Sequence, residues 1–217
     1  MKELFERIFD LDFPKEQYFQ QQFPKKQVYL HHTASGRGID GDFRHWLNTK
    51  GRIATCVIIA WDGTIYQLFS SKYWGHHLGV KGSVFDKYGM GNQNFQLNAH
   101  SIGIEIDSWG PLTKKDGKYY SWAGTIVPEE DVCFYSYGYK GYTCYHKYTD
   151  EQVKSVELLL RYWRERYDIP LDYNDDVWEV SKRALSGEKG VFTHNSVRKD
   201  KTDIHPQPNL IEMWKSL

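Results

Sequence analysis

Short runs rich in hydrophobic residues, one of them strictly alternating with polar or small residues, predict the β-strands of this chain. Residues 101–107 read SIGIEID, so the three isoleucines would share one face of a strand and Ser101, Gly103 and Glu105 the other. An Asp-Gly pair at residues 62–63 separates two apolar runs and predicts a tight hairpin. The other predicted strands cover residues 27–33, 54–60, 64–69 and 190–194.

Apolar positions that recur every three or four residues predict the helices, and the clearest helix begins at Thr149. Thr149 and Gln152 form a capping-box pattern, and Ile169-Pro170 ends the periodic segment. The apolar stripe of this helix comprises Val153, Val156, Leu160, Trp163 and Tyr167. Shorter helices are predicted over residues 40–50, 175–185 and 208–217. The order of strands and helices predicts a mixed α/β fold, with a central, mostly β sheet flanked by helices.

Two segments fall outside this regular pattern. Residues 1–26 predict a short N-terminal helix and a connector that precede a main domain over residues 27–217. Residues 108–148 are rich in Gly, Tyr, Trp and Lys and show no clear period. A segment of this length inside a compact domain is typical of an insertion, and its many aromatic residues predict an ordered loop or hairpin.

Composition narrows the possible functions. A chain of 217 residues can bury a substantial core without disulfides or metal, so a bound metal would serve function rather than folding. The formal net charge is zero, which counts against a nucleic-acid-binding protein. The three cysteines form no CxxC pair, and free thiols are the default expectation. A bridge between Cys133 and Cys144 remains open for an oxidising compartment.

The N-terminal sequence MKELFERIFDLDFPKEQYFQQ is charged throughout and lacks the apolar core of a secretory signal peptide. No stretch approaches the length of a membrane span. We therefore expect synthesis in the cytoplasm, and a chain that reaches the outside would use another route. We also expect a monomer.

Two of the predicted strands end in histidine, which suggests a metal site. The runs are VYLHH at residues 28–32 and GVFTH at residues 190–194, and Asp203 follows His194 by nine residues. Imidazoles and a carboxylate held by strand ends and a following loop suit a catalytic zinc with three protein ligands and an open water position. The spacing alone is weak support, since a histidine at a strand end is more often a hydrogen-bonded structural residue.

Glu105 is the next candidate for chemistry, because it lies on a strand whose alternate residues are isoleucine. A buried carboxylate without a partner costs free energy. Either its face of the strand is solvated, or Glu105 is a general base beside the metal. Residue type alone leaves both interpretations open.

Five sequence blocks resemble, in the same order, those of the type 2 N-acetylmuramoyl-L-alanine amidases. The blocks are YLHHTA, WDGTIYQ, HHLGV, NAHSIGIEI and FTHNSVRKDKTDIHP, and they are spread over residues 28–208. The superfamily also includes the peptidoglycan recognition proteins. The resemblance implies a peptidoglycan-recognition-protein-like amidase fold. It also implies cleavage of the amide between N-acetylmuramic acid and L-alanine of peptidoglycan or a muropeptide.

The resemblance also implies a Zn²⁺ cofactor and its ligands. The first two ligands match His31 and His194, and the third matches Asp203 in the string KTD. His205 is close enough in sequence to be an alternative third ligand. His31 and its neighbour His32 would point to opposite faces of the strand, so only one of them is expected to bind the metal.

Other matched positions carry expected catalytic and binding roles. Glu105 matches the glutamate that activates water, and Lys201 matches a lysine that stabilises the developing oxyanion. His77 matches a histidine near the substrate cleft, and Asn98 an asparagine that fixes a loop. The chain departs from many members by having ATCVIIA at residues 54–60, without their catalytic tyrosine.

Two alternative functions would use the same residues. A recognition module would bind peptidoglycan without cutting it, although such members typically lack the third ligand. A zinc peptidase would cut another amide of the stem peptide. For the amidase, the expected setting is lysis of the bacterial wall in the manner of a phage or prophage endolysin, with cytoplasmic recycling of wall fragments as the alternative.

Overall fold

The computed structural model describes residues 2–217 and is built around a six-stranded sheet. The strands of this sheet are β1 (Ile8–Asp10), β2 (Gln27–His32), β3 (Val57–Ile59), β4 (Ile65–Gln67), β5 (Ser101–Ile106) and β11 (Gly190–Thr193). Five further strands form two small sheets: β6 (Thr113–Lys115), β7 (Lys118–Tyr120), β8 (Ile126–Val127), β9 (Val132–Tyr139) and β10 (Tyr142–His146). The helices are α1 (Lys2–Arg7), α2 (Asp40–Asn48), α3 (Gly82–Asp86), α4 (Asn94–Ala99), α5 (Asp150–Tyr167), α6 (Lys182–Leu185) and α7 (Pro208–Lys215).

The order of strands in the main sheet is β1-β4-β3-β5-β2-β11. β2 pairs in parallel with β5 on one side and β11 on the other, while β3 and β4 form the predicted antiparallel hairpin. Every residue of β2 is buried, as expected for a central strand of a parallel sheet that is covered on both faces. The mixed α/β fold predicted from the sequence is confirmed.

Helix α5 packs its apolar stripe into the core beside the sheet. Its predicted apolar stripe is buried at Val153, Val156, Leu160 and Trp163, and it ends at Tyr167 as expected. The side chain of Gln152, at the first turn, donates to the carbonyls of Ile59 and Asp107 at 3.3 and 2.8 Å. The start of α5 is thereby tied to the ends of two strands of the sheet.

Two elements differ from the sequence prediction. Residues 8–10, expected in a connector, pair in parallel with β4 at the edge of the main sheet, and three residues are too few to show a period. The helix expected over residues 175–185 is a 3-10 turn, Asp175–Trp178, followed by the separate α6. The break occurs because the Ser181 side chain accepts from the Ala184 backbone N–H and so begins a new helix.

The aromatic-rich segment 108–148 is ordered and has a small core of its own. β6, β7 and β8 form one antiparallel sheet, and β9 and β10 form a separate hairpin. Leu112, Tyr119, Val127, Val132 and Cys144 are buried together between them. Cys56, Cys133 and Cys144 are all free and buried. No helix within residues 2–217 combines the length and the apolar character needed to cross a membrane.

The cap of α5 gives a direct test of the fold. The Thr149 hydroxyl accepts from the Gln152 N–H at 3.1 Å and donates to the Trp61 carbonyl at 2.7 Å. We expect Thr149→Ala to lower the free energy of unfolding by about 1–2 kcal/mol, since it removes the cap and leaves a carbonyl unpaired. Thr149→Ser, which keeps the hydroxyl, is the control. Equal denaturant midpoints for Thr149→Ala and the unmodified protein would contradict this account.

Candidate metal centre and active-site cleft

The carboxyl ends of β2, β5 and β11 meet at one edge of the main sheet, and the candidate chemical groups lie there. His31 is directly opposite Glu105 in the register of β2 and β5. His194 begins the 3-10 turn His194–Ser196 that follows β11. Because parallel strands end at the same edge, residues far apart in sequence converge, and ligands of open α/β sheets bind at such an edge.

His31, His194 and Asp203 form a tight cluster. His31 Nδ1 lies 3.0 Å from His194 Nδ1 and 3.3 Å from Asp203 Oδ2, and His194 Nδ1 lies 2.8 Å from the same oxygen. The three donor atoms lie within 4.8 Å of one another, in a group that can hold a metal ion. Tetrahedral zinc with ligand distances of about 2.0–2.1 Å would separate its ligand atoms by about 3.3 Å. The observed spacing is close to that requirement.

The hydrogen bond on the far side of His194 tests whether the cluster suits a cation. His194 Nε2 lies 2.8 Å from the Leu78 carbonyl, which can only accept. A neutral His194 therefore carries its proton on Nε2 and directs the Nδ1 lone pair at Asp203 Oδ2. Two acceptors at this distance require a cation between them, either a proton or a metal ion. With His31 as a third donor, the arrangement fits a metal ion.

Asp203 is brought to the histidines by the residue that follows His194. The Asn195 side chain is fully buried and donates to the carbonyls of Asp203 and Ile204 at 3.2 and 2.8 Å. This pair of bonds fixes the returning loop against the end of β11. Sequence reasoning missed Asn195, because an amide that acts on backbone carbonyls has no sequence motif.

The protonation states in the cluster also suit a metal. Burial lowers the pKa of His31 to about 4, and the neighbouring His194 adds to this effect. Burial works to raise the pKa of Asp203, but His194 and His31 outweigh it and hold that pKa well below its ordinary value. At neutral pH His31 is therefore neutral and Asp203 ionised, the forms in which both ligate metals.

Glu105 lies on the neighbouring strand with one oxygen unsatisfied. Its Oε2 atom is buried and has no hydrogen-bond partner among residues 2–217. Burial, together with the negative charges of Asp203 and Asp42, raises the pKa of Glu105 well above its usual value, and Lys201 partly opposes the rise. A carboxyl group with a raised pKa and no structural partner is typical of a general acid or base.

These residues open into a cleft of about 320 Å³. Lys201 lines the cleft on the loop between His194 and Asp203, and its charge acts on both His31 and Glu105. Thr55 also lines it, and no tyrosine is among the lining residues that the structure describes. The departure noted in the sequence is therefore not offset by a tyrosine from elsewhere in the described chain.

His77 lies on the inner side of the cleft, against the cluster. Its Nδ1 is 3.0 Å from His31 Nε2, and its Nε2 is 2.8 Å from Ser101 Oγ. The substrate contact expected for His77 stays a prediction, and both ring nitrogens are engaged by groups of the protein. Sequence reasoning did not find the contact with His31, since 46 residues separate the two histidines.

His32 and His205, which are close in sequence to the candidate ligands His31 and Asp203, lie outside the cluster. His32 Nδ1 lies 2.8 Å from the Tyr148 hydroxyl, on the face of β2 away from the cluster. His205 is stacked between Tyr145 and Tyr148, with its Nε2 3.1 Å from the His146 carbonyl. The structure thus brings Asp203, and not His205, to His31 and His194.

The 108–148 segment reaches the rim of the cleft through one side chain. Trp122, in the turn between β7 and β8, donates its indole N–H to the Ala34 carbonyl at 2.6 Å. Ala34 lines the cleft, and Trp122 is 75% exposed. A large apolar ring is therefore held at the mouth of the site with its surface open to solvent.

Comparison with known proteins identifies the family of this chain. The model of the family described as N-acetylmuramoyl-L-alanine amidase matches residues 21–208. This match extends over far more than half of the sequence, and the chain therefore belongs to the N-acetylmuramoyl-L-alanine amidase family. It is an enzyme of that class. No curated protein matches the chain.

Several solved structures are similar to this chain at low sequence identity. The N-acetylmuramoyl-L-alanine amidase LysC from Clostridium intestinale URNW is 17% identical, with 96% of this chain and 95% of that chain covered and a TM-score of 0.47. A mutant endolysin from Bacillus subtilis is 16% identical, with coverages of 96% and 94% and a TM-score of 0.49. PlyL is 13% identical, with 96% of both chains covered and a TM-score of 0.52. At this identity the PlyL comparison supports the fold alone.

The raised pKa of Glu105 predicts a pH-dependent effect on stability. A carboxyl group whose pKa is raised by folding favours the folded state at low pH, and this contribution is lost as pH rises through the raised pKa. As the pH rises from 5 to 8, metal-free Glu105→Gln should therefore become more stable relative to the unmodified protein. The difference in the free energy of unfolding should reach about 1.4 kcal/mol for each pH unit by which folding raises the pKa of Glu105. Chelator-treated samples of both proteins would be melted at each pH.

Glu165→Gln, on the exposed face of α5, is the matched control and should change little at either pH. A melting-temperature difference between Glu105→Gln and the unmodified protein that stays constant from pH 5 to pH 8 would contradict the prediction.

Proposed function

We propose that the protein hydrolyses the amide between N-acetylmuramic acid and L-alanine of peptidoglycan in a zinc-dependent reaction. The observation that carries the proposal is the convergence of His31, His194 and Asp203 beside an unsatisfied Glu105 in one cleft. Membership of the amidase family supports the reaction type.

In this proposal the Nδ1 atoms of His31 and His194 and one oxygen of Asp203 would hold the zinc. Two imidazoles and a carboxylate are a donor set that leaves a fourth position open, as in catalytic zinc sites. When bound, zinc supplies a Lewis acid and lowers the pKa of water at the site. The rest of the chemistry depends on side chains of this chain.

Glu105 is the proposed general base and acid. Its carboxylate takes a proton from the attacking water as the water oxygen bonds to the amide carbon, and returns a proton to the alanine nitrogen as the C–N bond breaks. Lys201 places its ammonium group beside the carbonyl oxygen, where negative charge develops. The positive charge of Lys201 also favours the ionised form of Glu105 that the first step requires.

We further propose that the substrate extends over the rim of the cleft. The exposed face of Trp122 would stack on a sugar ring of the glycan, with its N–H anchored by Ala34. Such a contact favours polymeric peptidoglycan over small soluble muropeptides. It is consistent with lysis of the wall, while preference for soluble fragments would indicate recycling. The monomeric state expected from the sequence stays a prediction.

Digestion of purified peptidoglycan, read by mass spectrometry, tests the reaction. We expect new N-terminal L-alanine on peptides and intact glycan chains, and no products after chelation until Zn²⁺ is restored. Glu105→Gln and Asp203→Ala should each lower kcat/KM by at least ~100-fold, because one loses the proton carrier and the other a metal ligand. Asp203→Ala should also lose bound zinc, whereas Glu105→Gln should retain it.

Three outcomes would overturn parts of this proposal. Undiminished cleavage by metal-free protein would remove the zinc requirement. Binding of peptidoglycan without cleavage would favour a recognition module. Cleavage at another amide, seen as a different new N-terminus, would favour a zinc peptidase of the stem peptide.

Trp122→Ala tests the role of the insertion. We expect a roughly three- to tenfold higher KM for polymeric peptidoglycan, from the loss of about 1 kcal/mol of stacking, with kcat nearly unchanged. Tyr137→Ala is the control, because Tyr137 is fully exposed and does not line the cleft. Equal KM values for Trp122→Ala and Tyr137→Ala would show that the exposed indole does not contact substrate.

A further inference from the structure

A continuous path of hydrogen-bonding groups leads from His31 away from the cleft. His31 Nε2 lies 3.0 Å from His77 Nδ1, and His77 Nε2 lies 2.8 Å from the Ser101 hydroxyl. That hydroxyl lies 3.4 Å from the Asn98 carbonyl, which can only accept. The path therefore joins a candidate metal ligand to a fixed acceptor through one histidine and one serine.

The direction of donation along this path follows from its end at the Asn98 carbonyl. The Asn98 carbonyl accepts from Ser101, so the serine oxygen is free to accept from His77 Nε2–H. His77 then has its lone pair on Nδ1 and accepts from His31 Nε2–H. His31 is left with an unprotonated Nδ1, the atom that lies 3.0 Å from His194 Nδ1.

The loop that carries His77 also supplies the partner of the second histidine. His194 Nε2 is hydrogen-bonded to the carbonyl of Leu78, the next residue along the chain. The fully buried Asn98 accepts from the N–H groups of both His77 and Leu78, at 2.8 and 3.2 Å. One side-chain oxygen thus clamps the two consecutive residues that orient both imidazoles.

The neighbouring strand leaves space for the His77 ring. A Cβ atom at Gly103 would lie 2.6 Å from Thr55 Cγ2 and 3.1 Å from His77 Nδ1. Any larger residue at this position would press on the ring nitrogen that faces His31. Glycine at position 103, midway along β5, therefore leaves the room that the His77 ring occupies.

We propose that His77 is a positioning residue that, together with Ser101 and the Asn98 clamp, holds His31 in the tautomer whose Nδ1 lone pair is free for the metal. This inference rests on the proposed function, because it concerns the same metal site. It assigns His77 a role through His31, which differs from the substrate contact expected from the sequence. His77 itself touches neither metal nor reacting atoms in this account.

Zinc affinity is the direct measurement. The full-length protein is stripped of metal and titrated with Zn²⁺ against a chromophoric chelator. His77→Phe keeps an aromatic ring but can neither accept from His31 nor donate to Ser101, and should weaken zinc binding by ~10–100-fold, as for other outer partners of metal-bound histidines. His77→Gln can accept from His31 and donate to Ser101, and should recover most of the affinity.

Val80→Ala is the matched structural control. Val80 is buried on the same loop and makes no side-chain hydrogen bond, so its truncation loosens the loop without breaking the path. Its zinc affinity should stay near that of the unmodified protein, even where its melting temperature falls as far as that of His77→Phe. Equal losses of affinity in Val80→Ala, His77→Phe and His77→Gln would overturn the proposal in favour of general loop stability.

Nitrogen-15 NMR of the zinc-loaded, unmodified protein gives a second readout that needs no variant. We expect His31, His77 and His194 all to carry their proton on Nε2. A proton on His77 Nδ1 would overturn the proposed positioning role of His77, and so would an unchanged zinc affinity in His77→Phe. Neither result would contradict the proposed zinc amidase. Failure of the unmodified protein to bind zinc would overturn both this positioning role and the proposed zinc dependence.

Discussion

The register between β2 and β5 is the constraint on which the site depends. It places His31 opposite Glu105 and His32 opposite Ile106. Because side chains alternate between the two faces of a strand, a slip of one residue would exchange the two histidines between the faces. The slip is opposed by the buried residues of β2, which pack on both sides of the sheet. The apolar core therefore sets the position of the polar site.

Placing so many polar groups at a buried edge is unfavourable unless each finds a partner. His194 is satisfied by the Leu78 carbonyl, and the loop that carries Asp203 is held by Asn195. Glu105 Oε2, Asn195 Oδ1 and His32 Nε2 are nevertheless buried without a partner among residues 2–217, and of these three residues only Glu105 carries a carboxyl group. Unpaired buried polar atoms are rare in folded proteins, and a buried carboxyl group of this kind in a cleft is a candidate for catalysis. Burial, together with the negative charges of Asp203 and Asp42, raises the pKa of this carboxyl group.

The sequence predicted the features that depend on local pattern. Examples are the capping box at Thr149, the alternation along β5 and the histidines at two strand ends. Each of these features is contained in a stretch of a few residues. The three-residue strand β1 was missed because it is too short to have a pattern. The roles of the Leu78 carbonyl and the Asn195 amide were also missed, because they act on groups that every residue carries, brought close only by the fold.

The paired histidines at the end of β2 have a counterpart in the loop that returns after β11. Asp203 and His205 are two residues apart, and Asp203 faces His31 on one side of the sheet edge. On the other side, the Tyr148 hydroxyl lies 2.8 Å from His32 Nδ1 and accepts from the His205 N–H at 3.3 Å. The loop is thus fixed to the strand on both faces at once. His32 and His205 need not bind the metal to matter, since the network they share holds the aspartate beside the histidines that would.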